Sequence, residues 1–215
     1  MQFKDRHEAG MRLSERLKKY KNNNDVIVLA IPRGGVEIGY EIAKFLDAEL
    51  DIIVAKKIGL PDDEEYAIGV VGPDKKMILN EEAINKNKVS QEYINYKKRG
   101  IGEEIERRYK AYKGKYECLN LKNRIIILAD DGIATGFTIK AAIDYIRSQE
   151  PKKIILAVPV APLDAAEEFG KQVDEFVCLH STAMFFSISQ FYESFPQLGD
   201  EEVKKYIKNS KKCPK

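Results

Sequence analysis

The sequence predicts an α/β fold. One doubly wound, mostly parallel sheet is expected, with an antiparallel hairpin and an irregular C-terminal cap. Three observations carry this. Short apolar runs recur without polar alternation, the mark of strands covered on both faces. Segments of helical spacing separate them, so strands and helices alternate. Glycine and charged residues crowd the points where a strand hands over to a helix, as in open α/β sheets that bind ligands at strand ends.

Taken in order, residues 5–21 place Ala9, Leu13, Leu17 and Tyr20 on one helical face, and Asn22-Asn23-Asn24-Asp25 ends that pattern. "VIVLAI" (26–31) reads as a buried strand, Pro32-Arg33-Gly34-Gly35 as a turn, and 36–46 as a helix. "LDIIVA" (50–55) is a second strand ending in Lys56-Lys57, which completes a βαβ unit. "GLPDDEE" (59–65) is a polar loop. "YAIGVVG" and "KMILN" flank Gly72-Pro73-Asp74-Lys75 as a hairpin. Residues 81–116 form a polar helical insertion, expected to be solvated and to break or kink at Gly100 and Gly102. Strand 124–129, helix 137–148, strand 153–160, helix 163–171 and strand 175–179 follow. The aromatic-rich segment 180–215 caps the fold and contains a short helix, 201–208. All of 1–215 reads as a single domain.

Composition narrows the class. The 215 residues are 44% hydrophobic and 33% charged, with a formal net charge of +2, which gives no support for nucleic-acid or membrane-surface partners. No apolar run is long enough to span a bilayer, and the charged start, "MQFKDRHEAG", lacks the apolar core of a signal peptide. Cys118, Cys178 and Cys213 are far apart, odd in number and without zinc spacing. A cytoplasmic, reducing location is the expectation.

The most informative string is "IIILADDGIATGFT" (125–138). Its "ATGFT" segment lies where a strand meets a helix, so free backbone N–H groups and the helix dipole favour an anion. Gly136 permits close approach, and Thr135 and Thr138 add hydroxyl donors. Asp130 and Asp131 would repel that anion, so they need another partner, and ribose hydroxyls fit because carboxylates accept their hydrogen bonds. The ligand shape is a sugar diol with a phosphate on its 5′ carbon. The plainer alternative is an Asp-Gly turn with helix-capping acids.

Residues 125–138 resemble the phosphoribosyl-diphosphate signature of type I phosphoribosyltransferases. More widely, "FKDRHEAGMRLSERL", "IPRGGVEIG", "KKIGLPDDEEYAIGVV", "DDGIATGFT", "AVPVAP" and "SQFYESFPQLGDEEV" resemble a branch of predicted phosphoribosyltransferases. The resemblance implies that Asp130 and Asp131 hold the ribose and that Ala134, Thr135, Gly136, Phe137 and Thr138 wrap the 5′-phosphate. It implies that Arg33, Gly34 and Gly35 form the pyrophosphate loop. Lys56 and Lys57 can neutralise the leaving pyrophosphate ahead of a lid over about residues 58–66, where Asp62, Asp63, Glu64 and Glu65 are unusual company for a polyanion. Asp130, Asp131, Arg33 and Lys57 form the expected catalytic set, with the two acids exposed at a strand end and dispensable for folding.

The expected reaction is magnesium-dependent transfer of the 5-phosphoribosyl group between phosphoribosyl diphosphate and a nucleobase or similar heterocycle. Magnesium would be held mainly through the donor, and no protein ligand for it is assigned. The alternative is a regulatory protein of the same fold that senses the donor. Ala134 stands where 6-oxopurine enzymes carry a proton-handling Asp, which disfavours hypoxanthine and guanine and leaves adenine open. The base is expected against Val160, Ala161, Phe185 and Phe186, with Phe191, Tyr192 and His180 nearby. The competing reading is that these aromatics pack the cap onto the sheet. Phe3, Asp5, Arg6 and Gly10 match the branch without a chemical role. The partners expected are the donor and a small heterocycle, with no nucleic acid or membrane, and a homodimer is left open.

Overall fold

The computed structural model describes residues 2–64, 66–116 and 119–210, so Glu65, Cys118 and Cys213 lie outside the described residues. Among these residues, five strands form one parallel sheet: β1 (Val26–Ala30), β2 (Glu49–Ile52), β6 (Ile125–Ala129), β7 (Lys153–Pro162) and β8 (Glu175–Thr182), in the order β2-β1-β6-β7-β8. Alternate residues face opposite ways along a strand. Val26, Val28 and Ala30 therefore join one core cluster with Leu13 of α1 (Arg6–Arg16) and Ile38 and Ile42 of α2 (Gly35–Leu46). Ile27 and Leu29 join a second with Ile139, Ile143 and Ile146 of α5 (Phe137–Ser148). Both faces are covered, which is why the strands show no polar alternation. The doubly wound expectation holds.

The register positions the site. Val26 pairs with Ile125 and Ala30 with Ala129, so β1 and β6 end level and the segments after them emerge side by side. The strands β7 and β8 run further than expected, pairing through Pro162 and Thr182 under the C-terminal hood.

A second sheet, β3 (Lys56–Gly59), β4 (Ala67–Val71) and β5 (Met77–Leu79), is antiparallel in the order β3-β4-β5 and contains the expected hairpin. It corrects one expectation: Lys56 and Lys57 open β3, paired with Val71 and Val70, rather than ending the preceding strand. Ile53, Val54 and Ala55 stay buried while the chain crosses between sheets, so the apolar run continues where the ladder changes.

The insertion forms α3 (Glu81–Lys86) and α4 (Gln91–Lys113). The α4 helix runs unbroken through Gly100 and Gly102, against expectation, and it is not merely solvated. Ile94, Ile105, Tyr109 and Tyr112 enter the main core. Tyr109 donates to Ile52 O at 3.0 Å, and Lys113 pairs with buried Asp51 at 2.8 Å. Two helical glycines cost about 1 kcal/mol each, less than burying one large apolar side chain contributes. After β7 come α6 (Leu163–Gln172), β8, the hood, and α7 (Asp200–Asn209), which lies against α4 and α2. The chain's start is stitched to the hood: Phe3 N donates to Phe191 O at 2.7 Å, and Glu193 N to Phe3 O at 2.8 Å. No helix of the described residues is long and apolar enough to cross a membrane.

Candidate active site

The level ends of β1 and β6 bring the Pro32-Arg33-Gly34-Gly35 turn against the acid pair. A Cβ on Gly34 would lie 1.9 Å from Asp131 Oδ2, and one on Gly35 would lie 2.8 Å from both Ala129 O and Asp130 Cα. Only glycine permits that approach. The Pro32–Arg33 peptide is cis.

Residues 134–138 lead into a helix, as expected. Gly136 adopts φ 72°, immediately before the first turn of α5, which contains no acidic residue. Ala134, Thr135, Phe137 and Thr138 are exposed. Among the described residues, no backbone N–H of residues 134–138 donates to a protein acceptor. A helix start with free donors and no acid in its own first turn favours an anion.

The acids differ from expectation. Asp131 is buried, and its Oδ2 accepts from Arg6 Nε at 2.8 Å. Asp130 is half-buried, with Oδ1 accepting from the Asp131 N–H at 2.9 Å. Burial raises the pKa of both carboxyls. The Asp131 charge raises that of Asp130 further, whereas Arg6 opposes the shift at Asp131. Asp131 is therefore part of the folded core, contrary to the expectation that it is exposed and dispensable for folding.

The N-terminal motif now has roles. Asp5 caps α1 by accepting from Glu8 N at 2.8 Å, Phe3 is fully buried beside Tyr192, and Gly10 lies against Glu41 of α2. Arg6 reaches the site. Its signal was present in the sequence: Arg6, Ala9, Gly10 and Leu13 share the buried face of α1, and a buried arginine needs an acid.

A cavity of about 620 Å³ joins these parts. Arg33 and Gly34, Lys56 and Lys57, Asp130 and Asp131, and Phe137 and Thr138 all line it. So do Lys97, Ile101 and Arg108 of α4, which sequence reasoning left out. Their shared helical face was the available signal. Carboxylates already meet most of these cations. Lys56 and Arg108 contact Glu104 at 2.5 and 2.8 Å, Lys97 contacts Glu64 at 2.7 Å, and half-exposed Arg33 is 3.7 Å from Asp200. The hydrogen bond from Lys56 is the main reason the Glu104 pKa is lowered. Lys57 Nζ sits 3.7 Å from the centre of the Phe137 ring. In the loop after β3, Asp62 and Asp63 are exposed and Glu64 pairs with Lys97 of α4.

A second cavity, of about 790 Å³, lies on the other side of Phe137. Ala134, Thr135, Asp164, Glu168, Phe185 and Phe186 are among its lining residues, and no Lys, Arg or His of the described residues joins them. Phe186 is 90% exposed, and Phe185 packs on Phe191 with ring centres 5.2 Å apart. Val160 and Ala161 do not reach this cavity. Both are fully buried on the two faces of β7, so the expected contact with a base is not met there. Phe191 and Tyr192 are buried, and His180 packs on Phe191 at 5.6 Å, as the packing alternative requires.

The family model for the phosphoribosyl transferase domain matches residues 2–193. This chain belongs to that family. A phosphoribosyl transferase domain accounts for both the parallel sheet and the two glycine-bearing loops at its strand ends. The chain is 37% identical over 205 residues to a Mycobacterium tuberculosis protein provisionally named a phosphoribosyl transferase. That match takes in 95% of this chain and 46% of the relative, so the chain spans about half the length of that relative. It is 34% identical over 139 residues to the adenine phosphoribosyltransferase of Mycoplasmopsis pulmonis, covering 60% of this chain and 79% of that protein. The crystal structure of TT1426 from Thermus thermophilus superposes with a TM-score of 0.88 at 31% identity, over 96% of this chain and 98% of that one.

Proposed function

We propose that this domain transfers a 5-phosphoribosyl group between phosphoribosyl diphosphate and a flat heterocycle, with release of pyrophosphate. The observation that carries the reading is the single cavity shared by Arg33 and Gly34, Lys56 and Lys57, the acid pair, and Phe137 and Thr138 at the start of α5. One donor molecule matches that order: 5′-phosphate on the 134–138 N–H groups, ribose hydroxyls on Asp130 and Asp131, and pyrophosphate on Gly34, Gly35, Arg33 and the lysines.

In the reaction, the bond from C1′ to the pyrophosphate oxygen breaks with its electron pair, and a heterocycle nitrogen bonds to C1′ as its proton leaves. Positive charge grows on the ribose ring, and the carboxylates beneath it favour that charge. Negative charge grows on pyrophosphate, which Arg33 and Lys57 offset. Magnesium, held through the donor's own oxygens, would neutralise part of the pyrophosphate charge.

The second cavity borders the phosphate segment at Ala134 and Thr135, and its hood side, at Phe185 and Phe186, is assigned to the acceptor. Aromatic Phe185 and Phe186 suit a flat ring. Asp164 and Glu168, with no cation of the described residues lining the space, favour a neutral or amino-bearing heterocycle over one bearing a carboxylate. Ala134 cannot exchange a proton with a 6-oxopurine, and adenine use by the Mycoplasmopsis relative points the same way. Incubating the protein with phosphoribosyl diphosphate, magnesium and a heterocycle panel tests this. Adenine or another amino-bearing ring should release pyrophosphate and yield an equal amount of nucleoside monophosphate, while orotate and nicotinate should not. Donor binding with no release from any acceptor would favour the sensor reading.

A further inference from the structure

Arg6 stands 125 residues before Asp131, yet its guanidinium is spent on the site. Nε donates to Asp131 Oδ2 at 2.8 Å, Nη1 donates to Pro196 O at 2.7 Å, and Cζ lies 3.7 Å from the centre of the Phe195 ring. Only 5% of Arg6 is exposed. A charge so buried requires a partner. The partner here is one of the two acids that line the donor cavity, rather than a carboxylate that serves the terminus alone.

Asp131 is held from the same side through its backbone. Tyr192 donates to Asp131 O at 2.8 Å, and the Tyr192 ring packs on Phe195 at 4.8 Å and on Phe3 at 5.6 Å. Gly34 stands against the same oxygen, so close that a Cβ there would overlap Oδ2 and lie 3.2 Å from Arg6 Nε. Oδ2 is thereby held by Arg6 and crowded by Gly34.

We infer that Arg6 is a positioning residue for phosphoribosyl transfer, which orients Asp131 toward the ribose hydroxyls from a clamp made by α1 and the hood. The inference rests on the donor reading given above. A lysine would supply the charge but not the fork that reaches Asp131 and Pro196 while stacking on Phe195. An acceptor group already oriented for the substrate needs no rearrangement as charge develops.

A double-mutant cycle tests the inference. Affinity for phosphoribosyl diphosphate with magnesium is measured by calorimetry for wild type, Arg6→Met, Asp131→Asn and the double variant, with circular dichroism confirming that each is folded. Arg6→Met should weaken donor binding by about 10-fold in the wild-type background and by less than about 3-fold beside Asp131→Asn, the scale of a direct pairwise coupling. In turnover, Arg6→Met should lower kcat more than it raises the donor KM, and Arg6→Lys should recover part of the loss. Equal effects of Arg6→Met in both backgrounds, or wild-type kcat and KM in a folded Arg6→Met protein, would overturn the inference while leaving the donor reading intact. Should Arg6→Met not fold, Phe195→Leu withdraws the ring on which both Arg6 and Tyr192 of the clamp pack. A lowered kcat supports the clamp and an unchanged kcat overturns it. A wild-type protein that binds no phosphoribosyl diphosphate overturns the donor reading and the inference with it.

Discussion

Asp130→Asn and Asp131→Asn should each lower phosphoribosyl transfer by at least about 10²-fold, the scale of losing one preorganised electrostatic contact. Their effects on stability should differ, because Asp131 also holds the buried Arg6 charge. The Asp130 carboxyl has a raised pKa because it is buried and lies beside the Asp131 charge. A carboxyl whose folded pKa is raised contributes stability below its unfolded pKa, near 4, and that contribution is lost as pH rises through the folded pKa. At neutral pH the Asp130 carboxyl has therefore lost that stability, and Asp130→Asn should unfold at a higher temperature than wild type. The gain should vanish in acid. Asp131→Asn leaves the Arg6 charge buried without its carboxylate, at a cost of about 3 kcal/mol. Thermal unfolding from acid to neutral pH, beside pyrophosphate release, checks both. Wild-type turnover in both variants would remove the ribose assignment. An Asp130→Asn protein less stable than wild type at neutral pH would remove the account of its carboxyl.

Arg33→Ala and Lys57→Ala should each lower turnover by at least about 10²-fold while weakening donor affinity much less. The donor already carries its charge when bound, but the departing pyrophosphate localises more of it. Contacts made only as that charge grows raise turnover rather than affinity. Arg33 is half-exposed and only 3.7 Å from equally exposed Asp200, so its loss should barely affect folding. A sensor needs ground-state binding alone. Strong loss of donor binding in these variants, with no acceptor ever releasing pyrophosphate, would make the sensor reading the better one. Steady-state kinetics beside calorimetry separate the two outcomes.

What was legible in the sequence follows from locality. The strand, acid pair and anion loop of 125–138 are contiguous, so residue order alone orders the ligand contacts. The 33–35 turn lies about a hundred residues away, yet both segments follow strands buried on both faces, and that pattern puts them at one sheet edge. Three features depend on contacts the chain order does not encode. The crossing from β2 to β3 stays buried throughout, so no polar break marks where Lys56 changes sheets. The α4 helix keeps polar residues on most of its surface and buries only a narrow stripe, which hides both its place in the core and its gift of Lys97 and Arg108 to the cavity. Val160 and Ala161 sit at a strand end, but hood and helix cover both faces of β7 there.

The most direct test of the account is a crystal structure of the protein with phosphoribosyl diphosphate and magnesium. The account predicts the 5′-phosphate on the backbone N–H groups of residues 134–138. The ribose hydroxyls should lie on Asp130 and Asp131, and the pyrophosphate between the 33–35 turn and Lys57. A donor bound elsewhere, or with its 5′-phosphate away from the start of α5, would contradict it.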